Sequence, residues 1–418
     1  MSEAHRAHAL AIVKTLRGAG YQALFAGGCV RDMLLGRDPS DIDVATDATP
    51  EVVMSLFRRT LPVGVSFGVV RVLGPRGSGE VEVATFRSDG EYRDGRRPES
   101  VTFGNARDDA MRRDFTINGM FYDPSTDEVI DFVGGRADLA SETIRAIGDP
   151  RARFAEDKLR LLRAVRFAAR LGFSIESRTW AAIVEMAPEV SLVSAERISQ
   201  EWRKMIVDRC RALAMELARR SGLIAAILPE LEAIVDVNIP TRHLGDQTVW
   251  WSILATLGNL PDEPSFSLAL AALLHRVEPV ASVDEVARRL KLSTAERERI
   301  VWLLTRQRSM WPITELSVAR LKRFLSEPGI GELLTLERAI AWALTQDDQH
   351  IRELEEYCRR QPDGPINPPP LISGRDLIEA GLRPGPEFSA RLERVRDAQL
   401  EGVIGSKDEA ITLALNPV

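Results

Sequence analysis

The chain has 418 residues, 44% hydrophobic and 28% charged, with a formal net charge of −6. That is an ordinary globular balance, too long for one core of about 100–200 residues, and it excludes a largely disordered chain. It also speaks against a molecule that is basic overall, the cheap signal of a nucleic-acid binder. Basic residues are instead gathered in "RSDGEYRDGRRPES", "DDAMRRDF" and "EDKLRLLRAVRFAARLGF", nearly all of them arginine.

The opening segment "MSEAHRAHALAIVKTLRGAG" has the apolar spacing of an amphipathic helix and lacks the apolar core and cleavage site of a signal peptide. No apolar run approaches the roughly 18 residues of a membrane span. Cys29, Cys210 and Cys358 stand far apart, in no metal-ligand spacing, and suit a reducing compartment. The expectation is a cytoplasmic protein with no membrane partner and no zinc site. Up to about residue 150, short β-like runs alternate with turns: "YQALFAGG", "DIDVAT", "GVVRVLG", "VEVATF" and "VIDFVG". Beyond that point strands are not expected. Apolar residues recur there at three- and four-residue spacing, with Pro or Gly breaks near 222–240, 260–264 and 363–370. The pattern predicts an α+β fold: an N-terminal head with a small mixed β-sheet and helices, followed by an all-α remainder. "QPDGPINPPPLISG" reads as a surface linker. No regular repeat is present.

Asp41 and Asp43 are two residues apart, so a strand through "DIDVAT" presents both on one face and Ile42 and Val44 on the other. Carboxylates at that spacing repel unless a cation lies between them, and oxygen-only ligands select Mg2+ or another hard metal. An isolated D-x-D is more often a solvated strand face. Here, however, "AGG" ends a β-like run and opens the apolar-periodic "CVRDMLLG", a strand-turn-helix whose first N–H groups suit a phosphate. Phosphate beside paired carboxylates suggests a nucleoside triphosphate. In "GEVEVATFR", Glu80 and Glu82 share a face, and either could be a third ligand.

"GGCVRDMLLGRDPSDIDVATDATPEVV", "VEVATFR", "RRDFTINGM", "DFVGGRADL", "FAEDKLRLLRAVRFAARLGF" and "SAERISQEWRKM" resemble, in order and spacing, the motif series of class II tRNA nucleotidyltransferases and bacterial poly(A) polymerases. The resemblance covers roughly residues 20–210. It implies that Gly27 and Gly28 approach the triphosphate, and that Asp41, Asp43 and a third acid, Glu82 rather than Glu80, hold two Mg2+ ions. These ions would direct a primer 3′-hydroxyl at the α-phosphate and neutralise the leaving pyrophosphate. Arg31 and Asp32 would contact the triphosphate; Arg112, Arg113, Asp114 and Asn118 would contact ribose and triphosphate. Asp157 and Arg160, at i and i+3, would face one way from a helix and read the edge of cytosine or adenine in place of a nucleic-acid template. Arg163 flanks that face, as does Glu156. Glu196, Arg197, Glu201 and Lys204 would support the base-binding helix, and "SDGEYRDGRRPESVTF" resembles the flexible loop that helps switch from CTP to ATP.

Two departures stand out. "LALAALLHRVEP" places Arg276 after His275 where an HD phosphohydrolase has aspartate, so such activity is not expected, and His243 and Asp246 are read as remnants or capping groups. Gly119 stands where the family usually has alanine. The resemblance divides the chain into a nucleotidyltransferase head (1–150), a base-binding neck (151–215), a helical body with a degenerate HD-like segment (216–362) and a tail (363–418) that grips the tRNA acceptor arm, with Arg375, Arg391, Arg394 and Arg396 available to phosphates. The expected activity is template-independent addition or repair of the 3′-terminal CCA of tRNA from CTP and ATP. Poly(A) addition and A-addition alone are the alternatives.

Overall fold

A computed structural model of the chain describes residues 2–90, 100–241, 245–279, 282–308, 316–360 and 365–416. Two compact units are present, one built from residues 1–233 with 286–292, the other from 234–285 with 293–418.

The first unit opens with α1 (Glu3–Gly18), capped by the Ser2 hydroxyl, which accepts from the His5 N–H. Its apolar face, Ala9, Ile12, Val13 and Leu16, has the spacing of one helical stripe and is buried. The sheet core follows: β1 (Ala23–Ala26), the short helix α2 (Gly28–Leu34), β2 (Asp43–Thr46), α3 (Pro50–Leu56), β3 (Thr60–Gly64), β4 (Val69–Leu73) and β5 (Glu80–Thr85). A separate ribbon, β6 (Arg87–Asp89) with β7 (Val101–Phe103), precedes α4 (Ala106–Met111), β8 (Phe121–Asp123) and β9 (Glu128–Ile130). The seven-stranded order is β3-β4-β5-β2-β1-β8-β9. Only β2 and β5 run parallel among these neighbours, with Val44 opposite Val83. β1 is central and fully buried, which is why "ALFA" carries no polar side chain. β5 alternates, with Val81 and Val83 inward and Glu80 and Glu82 toward solvent.

The loop into β2 departs from the sequence expectation: the ladder begins at Asp43, and Asp41 precedes it. The expected strand in "VIDFVG" is β9 alone, because the Asp131 carboxylate turns the chain by accepting from the Val133, Gly135 and Arg136 N–H groups into α5 (Gly135–Ala140).

Next come β10 (Thr143–Ile144), α6 (Pro150–Glu156), α7 (Leu159–Leu171), β11 (Ser174–Ile175), α8 (Ser177–Met186), α9 (Ala195–Ile206) and α10 (Arg211–Arg220). α7 packs on α9 and α10. It ends at Gly172, whose φ of 77° is the left-handed cap conformation that glycine adopts without strain.

The second unit is mainly helical. Contrary to the expectation of no strands beyond 150, it also contains β12 (Asn238–Thr241) paired with β13 (Gly245–Thr248), and the first unit pairs β10 with β11. "NIPT" and "GDQT" are too short and polar to show alternation. Helix Phe266–Leu274 is nearly all buried, and His275 at its end, 4% exposed, has Nδ1 2.8 Å from the Ala272 carbonyl. Asp246 is exposed on β13, and His243 lies outside the described residues. Helix Glu387–Leu400 packs on Val318–Leu325, where Arg323 pairs with Asp397 at 2.6 Å. Among the described residues no helix is long and apolar enough to cross a membrane.

Candidate active site

A cavity of about 570 Å3 in the first unit is lined by Gly27, Gly28, Arg31, Asp32, Asp41, Asp43, Arg112, Arg113, Asp114, Asn118, Asp157, Arg160 and Arg163. Thirteen of the fourteen residues expected to bind metal or nucleotide therefore share one concavity; Glu82 is not on its wall. A larger hollow of about 970 Å3 behind α2 contains none of them, so size alone does not locate the site.

The turn from β1 into α2 is built for close approach. Gly27 has φ 77° and ψ −131°, and a Cβ there would lie 2.8 Å from Arg113 Nη1. Arg31, 6% exposed, donates from Nη1 to Asn118 Oδ1 at 2.7 Å and from Nε to Asp32 Oδ1 at 2.8 Å. Its guanidinium also lies 5.4 Å from the Phe167 ring centre, so it is fixed before any ligand arrives.

Asp43 still reaches solvent, but the protein mass around it, then the like charges of Asp41 and Glu82, raise its pKa to about 6 against the opposing pull of Arg113. Glu82 is carried beside Asp43 by the parallel β2–β5 ladder, and its carboxylate accepts from Arg71 Nε at 3.1 Å. Glu80 accepts from Arg71 Nη1 at 2.9 Å. Among the described residues no three His, Cys, Asp or Glu side chains form a ready-made metal cage. Beneath this floor, burial pushes the Cys29 thiol up to about 12, which removes it as a nucleophile.

The middle of the cavity is held by two local ion pairs and one long-range pair. Asp109, which sequence reading did not single out, is 1% exposed and pairs with Arg112 at 2.6 Å and Arg113 at 2.9 Å. Burial alone would raise its pKa, but the two guanidiniums outweigh that and lower it. The signal was available as an i,i+3 and i,i+4 acid–base spacing running off the end of α4. Asp114 uses both oxygens: Oδ1 accepts from the Phe115 N–H and Asn118 Nδ2, and Oδ2 accepts from Arg163 Nε and Nη2 at 2.8 and 2.5 Å. Here too burial opposes ionisation, and Arg163 overcomes it, bringing Asp114 to about 2.

The pair expected to read the base is arranged differently from the helical-face expectation. Asp157 does not lie within the helix that carries Arg160. It is the extended residue ending α6 (φ −148°, ψ 103°), and its Oδ1 accepts from the Leu159 N–H in the first turn of α7. Arg197 on α9 donates to both Asp157 oxygens at 3.0 and 2.7 Å. Arg160, 8% exposed, donates to Glu156 Oε2 at 2.6 Å and to the Arg153 and Arg112 carbonyls at 2.8 and 3.1 Å. Glu201, 3% exposed, holds Arg166 at 2.6 Å. The cavity wall further includes Ser40, Leu159, Arg166, Phe167, Arg170, Arg197 and Lys204.

In the tail, Arg391 and Arg394 donate to the Leu413, Ala414 and Asn416 carbonyls and so close the last helix of the chain. Arg396 is bonded to Gln399 and Asn367, and of these four arginines Arg375 is the one that extends into solvent, beside Glu379. Residues 91–99 of the loop compared with a CTP-to-ATP switch lie outside the described residues.

Residues 23–145 match the family described as "Poly A polymerase head domain", and residues 172–235 match "Probable RNA and SrmB- binding site of polymerase A". The CCA-adding enzyme of Levilactobacillus brevis is 31% identical over 409 residues, covering 97% of this chain and 96% of that one. The chain belongs to the CCA-adding enzyme family. Within that family, the Bacillus pumilus enzyme is 46% identical over 257 residues, 60% of this chain and 63% of its own. Among solved structures, the Bacillus stearothermophilus CCA-adding enzyme in complex with CTP superposes with a TM-score of 0.77 at 29% identity, covering 99% of this chain and 97% of that one. A helical body behind an α+β head is thus the fold of this CCA-adding enzyme relative as well.

Proposed function

We propose that this chain is a cytoplasmic, template-independent RNA nucleotidyltransferase that adds or repairs the 3′-terminal CCA of tRNA, with CTP and ATP as substrates. The observation that carries the reading is that one cavity joins the Asp41–Asp43 floor to the Asp157–Arg160 edge. One end suits phosphoryl transfer, the other suits reading a base by protein groups alone.

The donor set fits Mg2+. Asp41, Asp43 and Glu82 offer only oxygen; burial and then the repulsion of Asp41 and Glu82 raise Asp43 to about 6, and a cation relieves both. Because these three form no closed cage among the described residues, such an ion would need water and substrate phosphate oxygens as further ligands. When bound, two such ions would supply activation of the primer 3′-hydroxyl and neutralisation of the leaving pyrophosphate. The chain's own contribution is positional. Gly27 and Gly28 let the triphosphate approach the backbone, and Arg31, clamped by Asn118 and Asp32, offers a preset cation to it. Asp114 has no free oxygen for a ribose, so its part is to hold Arg163 and Asn118 in place beside Arg112 and Arg113. Asp157, held at both oxygens by Arg197, accepts from an exocyclic amine, and Arg160 donates to the adjacent ring atom. Cytosine and adenine offer that pattern; uracil and guanine do not.

The test is extension of a tRNA ending at the discriminator base with CTP alone, ATP alone and both, in the presence of Mg2+. Two cytidines with CTP, and CCA only with both, is the expected result. Long A-tails on unrelated RNA would establish poly(A) addition instead, and A-addition confined to tRNA already ending in CC would establish the A-adding reading. No incorporation would refute catalysis.

A further inference from the structure

The cavity wall carries nine cationic side chains, and they divide into two kinds. Arg31, Arg112, Arg113, Arg160, Arg163, Arg166 and Arg197 each hold a carboxylate at 2.5–2.9 Å, with side-chain exposures between 8 and 32%. Arg170 and Lys204 do not follow this pattern. Arg170 is 53% exposed and comes no nearer than 3.9 Å to Asp208; Lys204 is 58% exposed and shares Glu201, at 3.2 Å, with the more tightly bound Arg166. These two are the cations of the wall whose charge is least neutralised by the protein.

Their placement follows from helix geometry. Arg160, Arg163, Phe167 and Arg170 recur at three- and four-residue spacing, so they form one stripe of α7 facing the cavity. Arg170 is ten residues beyond Arg160, about 15 Å along the axis, which is several times the roughly 3.4 Å rise per nucleotide of a stacked strand. It therefore cannot address the base that Arg160 addresses. Lys204 reaches the same cavity from α9, which packs on α7. Each residue also sits in the last turn of its helix, where a cation complements the helix dipole, but that role does not require the side chain to line a cavity.

We propose that Arg170 and Lys204 form a phosphate subsite at the rim of this cavity, adding charge that the carboxylate-paired arginines supply only in part. The proposal rests on the nucleotidyltransferase reading. Two sources share the chemistry, the phosphodiesters of the primer strand and the triphosphate of the incoming nucleotide.

Arg170→Gln, Lys204→Gln and the double variant separate them. Binding of a CCA-less tRNA is measured across a KCl series, and binding of CTP is measured on the same preparations. If the primer supplies the phosphates, each lost contact reduces the steepness of log K against log[KCl] by about 0.7, with primer affinity falling roughly tenfold at low salt. If the nucleotide supplies them, CTP affinity falls by a similar factor and the primer slope is unmoved. Arg170→Lys restores most of the loss in either case, which a merely structural role would not require. Unchanged primer slope and unchanged CTP affinity in the double variant overturn the proposal. Arg170→Gln disturbs no close ion pair, so that arm stands even if the loss of Lys204 unsettles Glu201. Wild-type extension is run alongside: its failure refutes the function itself, whereas active wild type with unaltered variant binding refutes only the subsite.

Discussion

Asp114→Asn isolates one of the pairs on which the cavity depends. The side chain is 7% exposed and keeps its shape in the variant, but the partner of Arg163 loses its charge. Burial works against the Asp114 charge and Arg163 more than compensates, taking the carboxyl from an ordinary value near 4 to about 2. A shift of roughly two units corresponds to about 2–3 kcal/mol of stability at pH 7. A depressed carboxylate contributes its stability above its unfolded pKa and loses it as pH falls through the folded one. The contribution should therefore be complete at pH 5 and above, and about half of it should remain at pH 3. Hydrogen exchange of the α7 amides in increasing urea, at pH 7 and pH 3, measures the loss locally, with Arg163→Gln and the double variant completing a cycle. Strongly non-additive single effects are expected, because each variant strands the other group. A variant within about 0.5 kcal/mol of wild type at pH 7, or strict additivity, would refute the clamp.

Other expectations concern the two ends of the cavity and the helical unit. Asp41→Ala and Asp43→Ala should abolish incorporation while tRNA binding persists, and should weaken Mn2+ binding seen by electron paramagnetic resonance; unchanged Mn2+ affinity would contradict the metal role. Arg197→Lys cannot grip both Asp157 oxygens and should erode the preference for CTP over UTP by roughly tenfold, as should Asp157→Ala, in competition assays. Equal loss with all four nucleotides would make the pair purely structural. Glu337, 8% exposed on helix Ile330–Thr345, is raised to about 8 by burial. Its neutral form favours folding fully below pH 4.5, and that advantage is lost as pH rises through 8. Glu337→Gln should therefore gain up to about 3 kcal/mol at pH 7, more at pH 9 and almost nothing at pH 4, read from denaturant midpoints.

Local periodicity carried much of this molecule. The buried stripe of α1, the apolar β1, the alternation of β5 and the stripe of α7 are all properties of neighbouring residues, and they are readable as such. What escaped was set by groups distant in sequence or by single turns. Nothing within "DIDVAT" says that the ladder starts at Asp43, because pairing with β1 and β5 decides it. The end of α6 at Asp157 interrupts a stretch whose apolar spacing reads as continuous helix, and the partner that fixes the carboxylate, Arg197, lies 40 residues away. The tail arginines have a composition suited to phosphates, yet Arg391 and Arg394 close their own helix terminus, a use that depends on where residues 413–416 return in space.

The helix break at Asp157 bears on how a protein can replace a template. A carboxylate on a continuous helix would be aimed by the same rotamer preferences as any surface aspartate and would pivot with its side chain. At the end of α6 it is held by the Leu159 N–H and by both donors of one guanidinium, while Arg160 is held by Glu156 and two backbone carbonyls. Neither reader can rotate to suit an incoming base without breaking several charge-assisted bonds, each worth more than a neutral hydrogen bond. Under the proposed function a base must instead match the edge as it stands, and rejection of the wrong one would follow from leaving those groups unpaired. Selectivity in such a site would be a property of the pairs behind the readers as much as of the readers themselves.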